Sequence, residues 1–190
     1  MAQNTIPTSG LWSTIASYLN DNFSEVYAQE QYSGIYDYND LATTGTPINP
    51  STDTWTSLTN DGNGVNTNTT YGIADIPNIW NTTSDVFDFS TLSLGDSVDI
   101  RLDLSVTTTA NSQEVLVDMF LGTGGSTYQV PFINPTQYKT TGVQRIVAFN
   151  SVYMGDSNTK DNSATLQIKS DASSSVVVNG WYVRVIRRGL

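Results

Sequence analysis

"LSLGDSVDIRLDLSVTTTA", residues 92 to 110, decides the fold. A Gly-Asp pair at 95 and 96 marks a turn, and from about residue 97 to 109 apolar and polar side chains alternate strictly. Val98, Ile100, Leu102 and Leu104 face one way, and Asp99, Arg101 and Asp103 face the other. Such a period of two belongs to a β-strand with one buried and one wet face, the habit of antiparallel sheets.

The pattern repeats downstream. "QEVLVDMFLGTGG" is a short strand before a glycine-rich turn, and "STYQVPFINPTQY" is interrupted by Pro131 and Pro135, which confines it to a sheet edge. "GVQRIVAFNSVYMG" is a longer strand, apolar on both faces. "SATLQIKSD" turns Leu166 and Ile168 inward, and "SSVVVNGWYVRVIRRGL" is the last strand. Upstream, Ile35, Tyr36 and Tyr38 enter a strand, Pro47, Pro50 and "NDGNG" are turn chemistry, and Trp55 and Leu58 pack inward between them. Seven or eight strands with no helical segment between them predict an all-β fold: an antiparallel β-sandwich of jelly-roll type with a short N-terminal α-helix. The expected core includes Val98, Ile100, Leu102, Leu104, Val147, Phe149, Leu166, Ile168, Trp181 and Val183.

The helix is "LWSTIASYLNDNFSEVYAQE", residues 11 to 30. Trp12, Ile15, Leu19, Phe23 and Val26 recur at three- and four-residue spacing and make one apolar stripe, with Ser13 available as a cap. An isolated helix of this length is marginal in water, so the stripe needs a surface to form against. Two parts are therefore expected: a helical attachment segment over 1–32 and a β-sandwich over 33–190. The stripe residues are the expected partner contacts.

Composition narrows the function. The 190-residue chain has no cysteine and no histidine, which removes Ser-His-Asp and Cys-His nucleophilic sites and any zinc site built on imidazole or thiolate. No cofactor and no metal are expected, although a calcium ion near Asp61 stays open. "DGNG" at 61–64 suggests a calcium loop, but Val65 and Gly72 occupy positions where an EF-hand needs ligands, so a tight turn is the better reading. Asp99 and Asp103 share a strand face, yet four residues along a strand separate them by about 13 Å, too far for a glycosidase pair. The sequons at Asn22, Asn68 and Asn81 are what chance supplies in a chain this rich in Asn and Thr. The expectation is that the protein is not an enzyme.

Charge is unevenly spread. Residues 1–100 hold 12 acids and no Lys or Arg, whereas residues 101–190 hold 8 basic and 6 acidic residues. A net charge of −10 argues against nucleic acid as the partner. No membrane partner is expected either, since no segment reaches the length of a membrane-spanning helix. Arg184, Arg187 and Arg188 crowd the end of the chain, either as a solvated tail or as inter-subunit contacts to the acidic half of a neighbouring copy. Ser, Thr and Asn make up 64 residues and charged residues only 14%, a surface suited to long hydrogen-bonded β loops outside cells or on particles. Trp55, Trp80 and the tyrosines are candidates for stacking on sugar rings, Trp80 above all because "IPNIWNTT" reads as a loop.

The segment "SGLWSTIASYLNDNFSEVYAQE", with its "LNDNF" element at Leu19–Phe23, resembles the N-terminal segments of virion structural proteins of tailed bacteriophages. "LSLGDSVDIRLDLSVTT" is similar to the middle of their jelly-roll domains, where a Gly-Asp turn leads into an alternating strand. The likeness covers about 40 residues. It implies a non-enzymatic virion structural protein at the virion surface, a capsid decoration (cement) protein or a short head or tail fibre anchored by its N-terminal segment. It further implies a homo-oligomer, a trimer, with capsid or tail proteins as partners. The alternative is a tail-fibre module that binds host-surface glycan.

Overall fold

The structure is a computed structural model that describes residues 13–28, 32–122 and 128–188. The chain divides into two compact units, Met1–Tyr32 and Ser33–Leu190. In the first, α1 spans Ser13–Ala28, so the helical periodicity is real. Ile15 and Leu19 of the expected stripe are 50% and 41% exposed. Trp12 lies outside the described residues, as do the side chains of Phe23 and Val26.

The second unit is built from two four-stranded sheets. One has the order β1 (Ser33–Asn39), β10 (Ser174–Ile186), β5 (Ser97–Thr108), β8 (Gly142–Tyr153). The other has the order β2 (Thr56–Ser57), β9 (Thr165–Ser170), β6 (Gln113–Leu121), β7 (Tyr128–Tyr138). Every pairing is antiparallel. A minor two-stranded ribbon joins β3 (Trp80–Asn81) to β4 (Val86–Phe87). Two short helices, α2 (Ala42–Gly45) and α3 (Ser157–Asp161), sit in connections.

The pairing has a simple logic. β1 pairs with β10, β2 with β9, β5 with β8, and β6 with β7. The chain is thus one long hairpin with its tip at β6–β7, rolled up so that β10 also meets β5 and β9 also meets β6. That winding is the jelly roll, and it follows from the strand order alone.

Local chemistry sets the strands. In β5 the apolar alternation read from the sequence is the burial pattern observed: Val98, Ile100, Leu102, Leu104 and Val106 are wholly buried. Gly95 enters the strand through φ +94, a region that favours glycine. The buried carboxylate of Asp96 then accepts hydrogen bonds from the Ser93 amide and the Arg188 amide, both at 2.8 Å, which ties the turn to the chain end. Gly180 forms an irregularity in β10, and a Cβ there would meet the Tyr38 carbonyl oxygen at 2.5 Å, so the backbone of β1 fits only against glycine.

The core is continuous between the sheets, and its members run from Tyr36 to Val185. The long connection between β2 and β5 contributes Leu58, Ile73, Ile76, Ile79, Trp80, Phe87, Phe89 and Leu92 to it. Tyr36 anchors this connection: its hydroxyl donates to the Ile76 carbonyl at 2.6 Å and accepts from the Ile73 amide at 2.9 Å. The Tyr38 hydroxyl accepts from the Ile79 amide at 3.0 Å.

Three expectations need correction. Val147 and Phe149 are not core; they are 58% and 63% exposed. β8 is apolar on both faces, and its register against β5 sets Ile146 opposite Leu104, Ala148 opposite Leu102 and Val152 opposite Val98. Facing residues of an antiparallel pair share a side, so the even-numbered residues turn inward and the odd-numbered ones outward. Trp80, expected on a loop with its ring free for a sugar, is buried. It packs edge-on against Phe87 and Trp181, each at 4.8 Å, and its Nε1 donates to the Asn60 carbonyl at 2.8 Å. The β3–β4 ribbon folds it in. Trp55, expected to point inward, lies half-buried beside Phe120 on the outer side of the second sheet, with the Lys169 ammonium 5.2 Å from its ring.

Candidate functional site

Several carboxylates of the first hundred residues accept hydrogen bonds from backbone amides. Asp40 accepts from the Thr43 amide at 2.7 Å and from the Asp61 amide at 2.9 Å. Asp61 accepts from the Leu41 amide at 2.9 Å and the Asn63 amide at 3.1 Å. Burial works against ionisation of Asp61, but these amide donors outweigh it and hold its pKa below the ordinary value. The "DGNG" segment is therefore a turn locked by its own side chains, with Gly62 at φ +64. Among the described residues no group of three His, Cys, Asp or Glu side chains is placed to hold a metal ion.

Asp99 and Asp103 sit on the outer face of β5 and are likewise engaged. Asp99 accepts from the Ser151 hydroxyl at 2.6 Å, and Asp103 pairs with Arg145 at 2.8 Å while accepting from Asn179 at 2.8 Å. Of the three terminal arginines, Arg187 finds its acidic partner within its own chain, Asp75 at 2.6 Å. That contact holds the Asp75 carboxyl below the usual range. Arg188 lays its side chain over Gly95. Arg184 stays exposed on the outer face of β10, in register with Asp99 and Ile35.

What distinguishes the surface is β8. Its outward row carries Val143, Val147, Phe149 and Tyr153, all between 58% and 70% exposed, interrupted by Arg145 and Ser151. Large apolar side chains in a row on a sheet edge are a liability unless something covers them. The sequence carried the signal, a strand apolar on both faces, but not which face is left outside.

Beside this row a cleft of ≈ 630 Å³ opens between β7 and β8. Two exposed tyrosines flank it, Tyr128 (65%) and Tyr153 (69%). Asn150 spans the strands, donating to the Pro131 carbonyl at 2.8 Å. Asp156 and Thr159 line the cleft at the start of α3, where Asp156 Oδ1 accepts from the Thr159 amide at 2.7 Å. Gly155 lets the Tyr153 ring lie against the backbone: a Cβ there would stand 2.6 Å from Cε2 of that ring. Sequence reading offered the tyrosines only as a group, because nothing in their neighbours separates these two from the other eight. Trp80 borders a smaller pocket of ≈ 340 Å³ with Asn78, Asn81 and Asp88, but its ring face is taken by Phe87 and Trp181.

No protein-family profile and no curated protein matches the chain. Solved structures do show similarity. A chain of the Gx strain of infectious bursal disease virus is similar at 13% identity and a TM-score of 0.37, covering 50% of this chain and 24% of that one. The PRD1 vertex protein P5 is similar at 13% identity and a TM-score of 0.42, covering 82% of this chain and 72% of that one. Eiger TNF from S. frugiperda is similar at 6% identity and a TM-score of 0.45, covering 84% and 96%. The chain thus spans about a quarter of the length of the virus chain.

Proposed function

We propose that this protein is a non-enzymatic structural component of a virus particle, a homotrimer whose sandwich meets its copies through Val143, Val147 and Phe149 on the outer face of β8, short of Tyr153, and whose N-terminal segment attaches to capsid or tail. A capsid decoration protein and a short fibre both fit this description. The observation that carries it is the outward row of Val143, Val147 and Phe149, which a protein working alone would be expected to bury. Two further features support it. The core cluster of the second unit is drawn from its own residues, Tyr36 to Val185 among those described, and the N-terminal helix is the element we assign to attachment. Asp40, Asp61, Asp75, Asp99 and Asp103 are already engaged by amides, hydroxyls and arginines. Among the described residues no helix is long and apolar enough to cross a membrane.

Native mass spectrometry of the full chain tests the proposal. Trimers are expected at micromolar concentration, and a charge placed in the row, Phe149→Asp, is expected to yield monomers that keep the β circular dichroism. A wild-type chain found only as monomer overturns the assembly reading; dimers would correct the number alone.

A second reading, recognition of a glycan, is favoured by one specific observation: the cleft between β7 and β8 with its two exposed tyrosines.

A further inference from the structure

We infer that the β7–β8 cleft is a binding site for a neutral oligosaccharide, with Tyr128 and Tyr153 as stacking platforms and Asp156 and Thr159 as the polar groups that orient the sugar. The inference rests on the glycan reading above and gives it a place and a ligand class.

Size comes first. At ≈ 630 Å³ the cleft falls within the range of about 300–1,000 Å³ typical of small-molecule sites. Sugars are recognised by a particular pair of features: an aromatic face against the C–H side of the ring, and polar groups at its edge for the hydroxyls. Both are present. Tyr128 comes from β7 and Tyr153 from β8, so the platforms stand on two strands of different sheets with the cleft between them. Each ring is about two-thirds exposed, and neither hydroxyl makes a hydrogen bond within the chain among the described residues. The amphipathic ring of an exposed tyrosine suits a partner that is apolar on one side and wet on the other.

Rigidity is the second point. The Tyr153 ring rests on the Gly155 backbone, and the Gly155 amide donates to the Tyr153 carbonyl at 2.9 Å. The backbone of Gly155 bounds one side of the ring, which lowers the ordering cost of binding. The floor is firm as well: Leu121 and Val152 beneath the cleft are core residues. On its polar side, Asp156 uses only Oδ1 to cap α3. Oδ2 and the Thr159 hydroxyl have no partner among the described residues and remain for ligand hydroxyls.

Charge selects the class. Among the described residues no Lys or Arg lines the cleft, Asp156 does, and the chain carries −10 overall. An acidic sugar would meet a like charge with no cation to offset it, so a neutral sugar is the ligand that fits.

The full chain, titrated calorimetrically and by amide NMR with maltohexaose, cellohexaose and chitohexaose, provides the test, with 3′-sialyllactose as the acidic comparison. At least one neutral sugar is expected to bind saturably and to shift amides between Ser151 and Asp156, while sialyllactose does not. Tyr128→Ala and Tyr153→Ala are each expected to weaken binding by about tenfold, whereas the corresponding Phe variants keep it. Gly155→Ala, which displaces the Tyr153 ring without removing it, should also weaken binding. Tyr71→Ala, an exposed tyrosine near the opposite edge strand β1, should leave it unchanged. Circular dichroism and melting of each variant confirm that it is folded. Should a Tyr153 variant fail to fold, the Tyr128 and Gly155 variants decide. Binding that survives the tyrosine and glycine changes overturns this site and leaves the glycan reading standing. Absence of binding to every neutral sugar at millimolar concentration overturns both, and equal binding of sialyllactose overturns the neutral class.

Discussion

Leu102→Ala and Phe149→Ala, measured side by side, expose the logic of the sandwich. Leu102 is wholly buried on β5, an interior strand, between Trp181 of β10 and Ala148 of β8. Truncation removes three buried carbons, worth about 2.4 kcal/mol of transfer free energy at about 0.8 each. It also leaves a cavity. With hydrogen-bonded strands on both sides and the Trp181 indole opposite, the site has little freedom to collapse, which places the total in the upper part of the about 2–5 kcal/mol seen for such changes. About 4 kcal/mol is expected, a large share of the roughly 5–15 kcal/mol that stabilises a domain. At about 2–4 °C per kcal/mol the melting temperature should fall by about 8–16 °C. Phe149 is the larger residue and was expected to be core, yet it is 63% exposed, so its truncation should cost no more than about 0.5 kcal/mol of domain stability. Urea unfolding followed by tryptophan fluorescence measures both. It should be run at two protein concentrations, because any contribution of Phe149 through association appears as concentration dependence. If Phe149→Ala were as costly as Leu102→Ala at both concentrations, the assignment of the faces of β8 would be refuted.

Asp118, on the outer side of β6, has its carboxyl pKa raised by burial, with the nearby Lys169 only partly opposing the rise. A raised carboxyl favours folding when protonated, so its contribution is present at low pH and is lost as pH climbs through the raised value. Asp118→Asn should therefore melt above the wild type at pH 7, with an advantage that shrinks toward the ordinary carboxylate value near 3.8; an unchanging or inverted gap refutes the sign. The chain starting at Ser33 should stay soluble, keep its β circular dichroism and melt cooperatively, because the core runs from Tyr36 to Val185, but it should no longer bind the particle. Aggregation or loss of the transition would place the helix within the fold of the sandwich, and normal particle binding would move attachment to the β unit.

Much of this was legible in the sequence. The period of two in β5, the Gly-Asp turn ahead of it, the proline-broken edge strand and the amphipathic helix are local signals, and each element formed where its residues asked for it. A strand that buries one face and wets the other writes that fact into its own alternation. The loss of histidine and cysteine chemistry was equally plain, being a matter of composition. Tertiary structure decided the rest. β8 is apolar on both faces, so its own residues do not choose an inside; pairing with β5 chose it, and turned Val147 and Phe149 out. Trp80 read as a loop residue because its ribbon is only two residues long on each strand, too short to show a period, and burial came from Phe87 across the ribbon and Trp181 far along the chain. Arg187 could have met an acidic residue of any copy, and the rolled hairpin brought Asp75 of its own chain to it. The cleft between Tyr128 and Tyr153 exists only because β7 and β8, neighbours in sequence, lie in different sheets. Alternation along one strand is a property of that strand; which strand lies beside it, and therefore what a two-faced strand exposes, is fixed by pairings between residues far apart in the chain.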